Sequence, residues 1–204
     1  MSYIVSICGG TGSGKSSLTR RLAAEWGDMC NCISHDNYYK HEPGMTPEQR
    51  AVYNFDEPAA LDSHLLVEDL RRLRAGQSTE IPVYDFVTQS RMPQTIHLEP
   101  TPIVIVEGIL IMAEPQVMEQ VDLKIFIDTP EDVRLERRLR RDVEERGWTR
   151  ELAEKSYRDL AKPAHDMYVQ PHRAKADIVL MDSLLPAAVQ VLAAGIPAAA
   201  AKRQ

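Results

Sequence analysis

Residues 9–16 read Gly-Gly-Thr-Gly-Ser-Gly-Lys-Ser and stand between two stretches of clear periodicity. The run before them, residues 3–8, is apolar and β-branched, which predicts a buried parallel strand. The stretch after them, residues 15–26, has apolar residues at helical spacing. Glycines let backbone N–H groups curl around phosphate oxygens, and a helix N-terminus adds its dipole. This order of strand, loop and helix predicts binding of a nucleoside triphosphate.

The loop fits the pattern G-x-x-x-x-G-K-[ST], in which each residue type has a chemical purpose. Lys15 is predicted to reach the β- and γ-phosphates, and the Ser16 hydroxyl is predicted to ligate Mg²⁺. A glycine-rich turn without a ligand is the alternative, and the complete strand–loop–helix context argues against it. The motif alone does not separate a kinase from an ATPase or GTPase. The predicted nucleotide-binding residues here are Gly9, Gly10, Thr11, Gly12, Ser13, Gly14, Lys15, Ser16 and Ser17.

Strand-like runs alternate with helix-like stretches along the rest of the chain, which predicts an α/β fold of the P-loop NTPase type. Such a fold has a parallel sheet covered by helices on both faces. Residues 80–98 alternate around a turn-like middle near 89–93 and predict a separate β-hairpin. The other predicted strands are 31–34, 102–106, 123–127 and 177–180. A further helix is predicted to begin at 46–49, and the remaining predicted helices span 61–75, 131–145, 151–168 and 184–194. The helix at 151–168 is expected to bend near Pro163, and residues 198–204 are expected to form a frayed tail.

Composition narrows the class of protein. The 204 residues fit one α/β domain, and the net charge of −6 does not favour nucleic acid or an anionic membrane as a partner. Three cysteines, an odd number, fit a reducing cytoplasm. A metal pair at Cys30 and Cys32 lacks partners at ligand spacing. The longest apolar run, residues 102–113, is interrupted by Glu107 and is too short to span a bilayer.

Two acidic residues follow predicted strands, where ligands of open parallel sheets bind. Asp36 follows the second strand and could accept a hydroxyl proton or steer Mg²⁺, although a turn or N-cap aspartate is about equally compatible with the pattern. Glu107 ends the apolar run 103–106. A charge there is costly without a partner, so a role at Mg²⁺ is the better interpretation.

Arginines crowd the predicted helix at 131–145 and its end. A solvated face with i,i+4 glutamate partners explains the pattern by itself. Together with the phosphate loop, however, two overlapping basic stripes, 134/138 and 137/141, predict a mobile lid over residues 134–148 that clamps a transferring phosphoryl group. The arginines are Arg134, Arg137, Arg138, Arg140, Arg141 and Arg146.

Several motifs in order now resemble those of uridine–cytidine kinases, within the phosphoribulokinase/uridine kinase group of P-loop enzymes. The resemblance runs from the phosphate loop to residues 176–178. It implies ATP- or GTP-dependent phosphorylation of a nucleoside 5′-hydroxyl with Mg²⁺. The family is often tetrameric, so a homo-oligomer is implied, although no interface is evident in the sequence. The segments that carry the resemblance are 9–16, 36–39, 54–58, 81–86, 107–110 and 137–147.

The resemblance also implies site roles, residue by residue. Asp36 resembles the catalytic base, with Lys15 and Arg141 assisting phosphoryl transfer. Asp56 and Arg138 resemble the ribose site, where a carboxylate accepts from two sugar hydroxyls; an N-cap before Pro58 is the alternative for Asp56. Base-pocket aromatics are implied at Tyr39, Phe55, Tyr84 and Phe86, lid arginines near the phosphates at Arg141 and Arg146, and Mg²⁺ ligands at Ser16 and Glu107, with the 80–98 hairpin covering the nucleoside.

Three positions depart from the family pattern, and all three resemble base-edge contacts. Gln89, Trp148 and Ser156 stand where histidine, arginine and glutamine are usual. Because a mismatched buried polar group is heavily penalised, we expect a base preference other than the usual uridine and cytidine. Two further interpretations stay open: a P-loop kinase for another small alcohol, and a nucleotide-binding regulator without turnover. Retention of Lys15 and Asp36 argues against the regulator.

Overall fold

A computed structural model describes residues 1–40, 53–86, 88–181 and 185–203. Five parallel strands form the main sheet in the order β2-β5-β1-β6-β7. They are β1 (Tyr3–Gly9), β2 (Cys30–Ser34), β5 (Ile103–Glu107), β6 (Leu123–Ile127) and β7 (Ile178–Leu180), while β3 (Thr79–Asp85) pairs only with β4 (Ser90–Leu98). The helix predicted to begin at 46–49 lies outside the described residues.

Helices cover both faces of this sheet, as the alternating pattern predicts. One face packs against α1 (Lys15–Trp26) and α6 (Pro186–Ala201), with Leu18, Leu22 and Leu192 in its core. The other face packs against α2 (Ser63–Arg74) and the β3–β4 hairpin. Burial of β-branched residues on both faces explains the continuous apolar runs of β1 and β5. The parallel register places the carboxyl ends of β1, β2 and β5 side by side, with Ser34 opposite Glu107.

The remaining α-helices pack against neighbouring helices: the first of them contacts α2, and the other two contact each other. They are α3 (Pro115–Met118), α4 (Glu131–Glu144) and α5 (Arg150–Ser156). The helical path continues from α5 through π-helical turns at Tyr157–Ala161 and His165–Val169. The bend predicted at Pro163 is therefore absorbed by wider turns: Lys162 N–H bonds five residues back to the Tyr157 carbonyl. Such turns re-pair the ladder around a residue that lacks an N–H.

The connection of the hairpin lies earlier than predicted, because β3 ends at Asp85 and β4 begins at Ser90. Asp85 accepts hydrogen bonds from both the backbone N–H and the hydroxyl of Thr88, which closes a side-chain-stabilised turn. Gln89 completes it with a φ of +51°. Pro93 lies within β4 instead, beside a register shift between Pro82 and Tyr84 where the ladder is interrupted.

The predicted frayed tail is wrong, because α6 continues to Ala201. Pro197 lies inside this helix and cannot donate to the Ala193 carbonyl four residues back. That carbonyl instead accepts a hydrogen bond of 2.9 Å from the indole N–H of Trp26 on α1. Ile196 and Ala200 are buried against the sheet. Tertiary contacts therefore hold a segment whose alanine-rich composition indicates fraying.

Among the helices of the described residues, none combines the length and the apolar character needed to cross a lipid bilayer.

Candidate active site

The phosphate loop connects β1 to α1, as predicted. Lys15 is buried, and its Nζ donates a hydrogen bond of 3.1 Å to the Gly10 carbonyl. Burial lowers the pKa of Lys15 from its ordinary value, and the carboxylates Glu107 and Asp36 oppose that shift. An ammonium group held inside a loop of backbone N–H groups is suited to phosphate oxygens. Ser17 is half-buried in the first turn of α1.

The loop is locked against the N-terminal end of α4, which sequence reasoning missed. Thr129 donates a buried hydrogen bond of 3.0 Å to the Ser13 carbonyl. Arg134, which is also buried, donates from Nε to the Thr129 carbonyl at 3.0 Å and lies beside His165. Arg134 thus packs against the phosphate loop while Arg138 lines the cavity, and the clamp of a phosphoryl group by these two arginines stays a prediction.

A methyl group at Gly12 is expected to break this contact. Gly12 has a φ of +75°, and a Cβ there lies 2.2 Å from the backbone oxygen of Arg134. Backbone strain of about 1–3 kcal/mol corresponds to roughly 5- to 150-fold weaker binding at 1.4 kcal/mol per tenfold. We expect Gly12→Ala to weaken ATP binding by about 5- to 150-fold on that basis, measured by calorimetry.

Gly27→Ala is the matched control for this prediction. Gly27 also has positive φ, at +53°, but a Cβ there meets nothing within 4 Å and lies far along α1 from the loop. Both variants carry a strained backbone, and only Gly12→Ala adds the clash with α4. Equal ATP affinity in the two variants contradicts the proposed locking of the loop.

Glu107 and Ser16 meet at the carboxyl end of the sheet. The Ser16 hydroxyl donates a hydrogen bond of 2.9 Å to Glu107 Oε1. Burial raises the pKa of Glu107, and Lys15 is the strongest influence in the opposite direction. Two hard oxygen ligands next to a phosphate loop fit Mg²⁺, which keeps several waters and binds through few protein groups. Within the described ranges, no group of three or more histidine, cysteine or acidic side chains is placed to hold a metal ion.

Asp36 follows β2 in the short 3₁₀ turn His35–Tyr38 and is recessed in the same cavity. Burial raises its pKa above the ordinary value of 3.8, while Lys15, Arg146 and Arg141 oppose that shift. His35 is fully buried beside it, as a packing residue: burial lowers its pKa to about 3, and its Nε2 lies 3.1 Å from Ser63 Oγ. A Cβ at Gly108 would lie 2.6 Å from that of His35, so Gly108 lets the turn approach Glu107.

A cavity of about 800 Å³ connects these groups to the predicted substrate residues. Every substrate residue predicted from the sequence lines it. Those are Tyr39, Phe55, Asp56, Tyr84, Phe86, Gln89, Arg138, Trp148 and Ser156, together with Thr11, Lys15, Ser16, Asp36, Glu107, Arg141 and Arg146. The sequence therefore predicted which residues converge, although their individual roles remain proposals.

Aromatic rings form one wall of the cavity. Tyr39 contacts Phe55, Tyr84 and Phe86 with ring centroids 5.5, 5.1 and 6.4 Å apart. The Tyr39 hydroxyl donates to the Phe55 carbonyl at 2.9 Å, which fixes the ring. Arg91, on β4, donates to the Tyr38 and Tyr39 carbonyls at 3.2 and 3.0 Å. This anchor between hairpin and active-site turn was missed, because the sequence carries no signal for its long-range partners.

Polar groups lie between the aromatic wall and the phosphate loop. Asp56 is largely buried, and burial raises its pKa, with Arg138 the strongest influence against that shift. Arg138 Nη1 lies 3.9 Å from Asp56 Oδ1. The Asp56 backbone N–H bonds to the Asn54 side chain, and the residue before Pro58 that occupies the N-cap position is Glu57. The capping alternative for Asp56 is therefore wrong.

The comparisons with known proteins agree with this geometry. The model of the phosphoribulokinase/uridine kinase family matches residues 4–184. A uridine kinase of Chloroflexus aurantiacus is 41% identical over 198 residues, covering 96% of this chain and 95% of that protein. A uridine kinase of Clostridium perfringens is 42% identical over 177 residues, covering 86% and 85%.

This chain belongs to the phosphoribulokinase/uridine kinase family. It is accordingly a phosphotransferase with the P-loop kinase fold. A solved phosphoribulokinase from Rhodobacter spheroides has the same fold, with a TM-score of 0.65 over 89% of this chain and 72% of that one, at 15% identity. Membership accounts for the shared phosphate loop and parallel sheet, and leaves the substrate to be argued from the cavity.

Proposed function

We propose that this enzyme transfers the terminal phosphoryl group of ATP or GTP to the 5′-hydroxyl of a nucleoside. The observation that carries the proposal is the order of chemistries along one cavity. Lys15 and Ser16 provide a phosphate end, Asp56 with Arg138 a polar middle, and aromatic rings the far wall. A nucleoside has the same order of a primary hydroxyl, a sugar diol and a flat base. The uridine kinase relatives favour the same assignment.

Each proposed role follows from the chemistry of the group. Asp36 accepts the proton of the attacking hydroxyl, since its carboxylate lies in the cavity beside the phosphate loop. Lys15, Arg141 and Arg146 face the negative charge of the phosphoryl group. Asp56 accepts from the sugar hydroxyls, and the charge of Arg138 opposes the rise in the pKa of Asp56 that burial causes. Ser16 and Glu107 would hold Mg²⁺, which neutralises phosphate charge when bound.

We further propose that the base preference differs from uridine and cytidine. Gln89, Trp148 and Ser156 all line the same cavity as the aromatic rings. An amide offers both a donor and an acceptor, an indole only a donor, and a hydroxyl both, so this set differs from histidine, arginine and glutamine. A site built for one pattern of donors and acceptors discriminates strongly against another.

A steady-state screen of nucleosides, simple sugars and sugar phosphates with ATP and GTP tests both proposals. We expect 5′-monophosphates from ribonucleosides, lower kcat/KM for 2′- and 3′-deoxy analogues, and a preferred base other than uracil or cytosine. Efficient turnover of uridine and cytidine contradicts the altered preference alone. Turnover of only a sugar phosphate, or ATP binding without any turnover, contradicts the nucleoside kinase proposal.

Three other expectations from the sequence stay predictions: a single domain, a homo-oligomer and a cytoplasmic location.

A further inference from the structure

Asp142 is a fully buried carboxylate surrounded by three guanidinium groups of the cavity wall. Its Oδ2 accepts from Arg138 Nε at 3.2 Å, and its Oδ1 accepts from Arg141 Nε and Nη2 at 3.1 and 2.9 Å. Arg146 Nη1 lies 3.3 Å from the same Oδ1. Both carboxylate oxygens therefore face arginine, on a side chain with no exposed surface.

Charge balance indicates what this arrangement achieves. A buried carboxylate is costly alone, and three neighbouring guanidinium groups repel one another. Burial and then the adjacent Arg141 lower the pKa of Arg146, while Asp142 opposes both. The negative charge of Asp142 offsets part of the repulsion among the three arginines. The cluster of four side chains keeps a net charge of +2, and its three arginines line the cavity.

Two of the three arginines have a second contact, and each of these contacts reaches a different part of the site. Arg138 approaches Asp56 at 3.9 Å, in the polar middle of the cavity. The Arg146 guanidinium stacks over the Phe86 ring at 4.7 Å, which joins the helix end to the hairpin. The backbone N–H of Trp148 donates a hydrogen bond of 3.0 Å to the backbone carbonyl of Asp142, which fixes the course of the chain after α4.

We propose that Asp142 is a positioning residue for phosphoryl transfer, which holds Arg138, Arg141 and Arg146 in one geometry so that sugar and phosphoryl group are gripped together. This inference rests on the proposed function. Preorganised charges contribute most where charge develops during reaction, because they need no rearrangement at that moment. Asp142 is fully buried and does not line the cavity, so its carboxylate acts only through the arginines.

The direct test is the hydrogen bonding of the arginines, which needs no substrate. In ¹⁵N-labelled protein the Nε–H groups of Arg138 and Arg141 are expected to give slowly exchanging NMR signals, assigned with Arg138→Lys and Arg141→Lys. Asp142→Asn keeps the volume and removes the charge, and both signals are expected to broaden or exchange faster. Absence of protected signals in the wild-type protein overturns the inference, whatever the variant does.

The kinetic test separates positioning from mere stability. We expect Asp142→Asn to lower kcat by about 30- to 100-fold per folded molecule, since small misplacement of catalytic groups has effects of that order. ATP affinity is expected to fall by a smaller factor than kcat, because the phosphate-loop groups that hold the nucleotide are untouched. The control is Glu136→Gln. Glu136 lies on α4, as Asp142 does, but its carboxylate is exposed and pairs with the exposed Arg150, so this variant is expected to keep wild-type kcat.

The outcomes distinguish this inference from the proposed function. A folded Asp142→Asn enzyme with wild-type kcat and only a lower melting temperature overturns the positioning role. A wild-type protein that phosphorylates no nucleoside contradicts the proposed function, and the NMR signals then decide by themselves whether Asp142 holds the arginines.

Discussion

Asp36→Asn is expected to lower kcat by about 10²- to 10⁴-fold, the usual contribution of a positioned general base. An amide of the same shape keeps the turn after β2 but cannot accept the hydroxyl proton. ATP affinity is expected to stay near the wild-type value, because the nucleotide is held by the phosphate loop. Rapid-quench and steady-state assays measure the turnover, and calorimetry measures the binding.

The pH profile gives a second measure of the same group. Asp36 must be ionised to act, and burial raises its pKa above the ordinary 3.8. In the wild-type enzyme kcat/KM therefore falls as the pH is lowered through that raised pKa. The residual activity of Asp36→Asn is expected to lack this limb. Asp28→Asn, on the exposed turn Gly27–Met29, is the control. Full activity in Asp36→Asn removes Asp36 from the mechanism.

Lys15→Met is expected to lower kcat by about 10²- to 10³-fold and to weaken ATP binding, since it removes a preorganised charge from the phosphate site. Methionine retains much of the buried aliphatic volume, so the loop keeps its packing. The charge also acts on its neighbours: Lys15 is the strongest influence that lowers the pKa of Asp36 and of Glu107. Its loss is expected to raise both pKa values further.

The acid limb of residual kcat/KM in Lys15→Met is therefore expected to move to higher pH than in the wild-type enzyme. Lys175→Met, at an exposed lysine at the end of the turn Gln170–Lys175, is the control and is expected to leave both kcat and the limb unchanged. If the limb of Lys15→Met stays at the wild-type pH, the electrostatic coupling between Lys15 and Asp36 is wrong.

The arginine-rich helix marks where sequence reasoning stopped. The charge pattern predicted a basic lid with two stripes of arginine. Of the arginines in this region, Arg138, Arg141 and Arg146 line the cavity, whereas Arg134 packs against the phosphate loop and donates to the Thr129 carbonyl. The signal for Asp142 was present in the sequence, since Arg138 and Arg146 each lie four residues from it. Which of several acidic residues on a helix is buried depends on its neighbours in space.

Local sequence patterns were sufficient to predict the strands of the main sheet and the strand ends at which candidate catalytic residues lie. Runs such as β1 and β5 are apolar because both sheet faces are covered, and the loop between β1 and α1 needs glycines wherever it binds phosphate. The convergence of Asp36 and Glu107 follows from parallel strands that end at one edge, whereas Asp56 follows no strand and was assigned from the family resemblance.

Only the tertiary structure decided the features that depend on partners far apart in sequence. α6 extends past Pro197 because Trp26 satisfies a carbonyl that the helix itself leaves open. Arg91 fixes Tyr39 from the hairpin, although the two residues lie 52 positions apart in the chain. Each of these is a polar group paired with a residue distant in the sequence. A local sequence pattern does not show which polar groups lose contact with water on folding and therefore need such a partner.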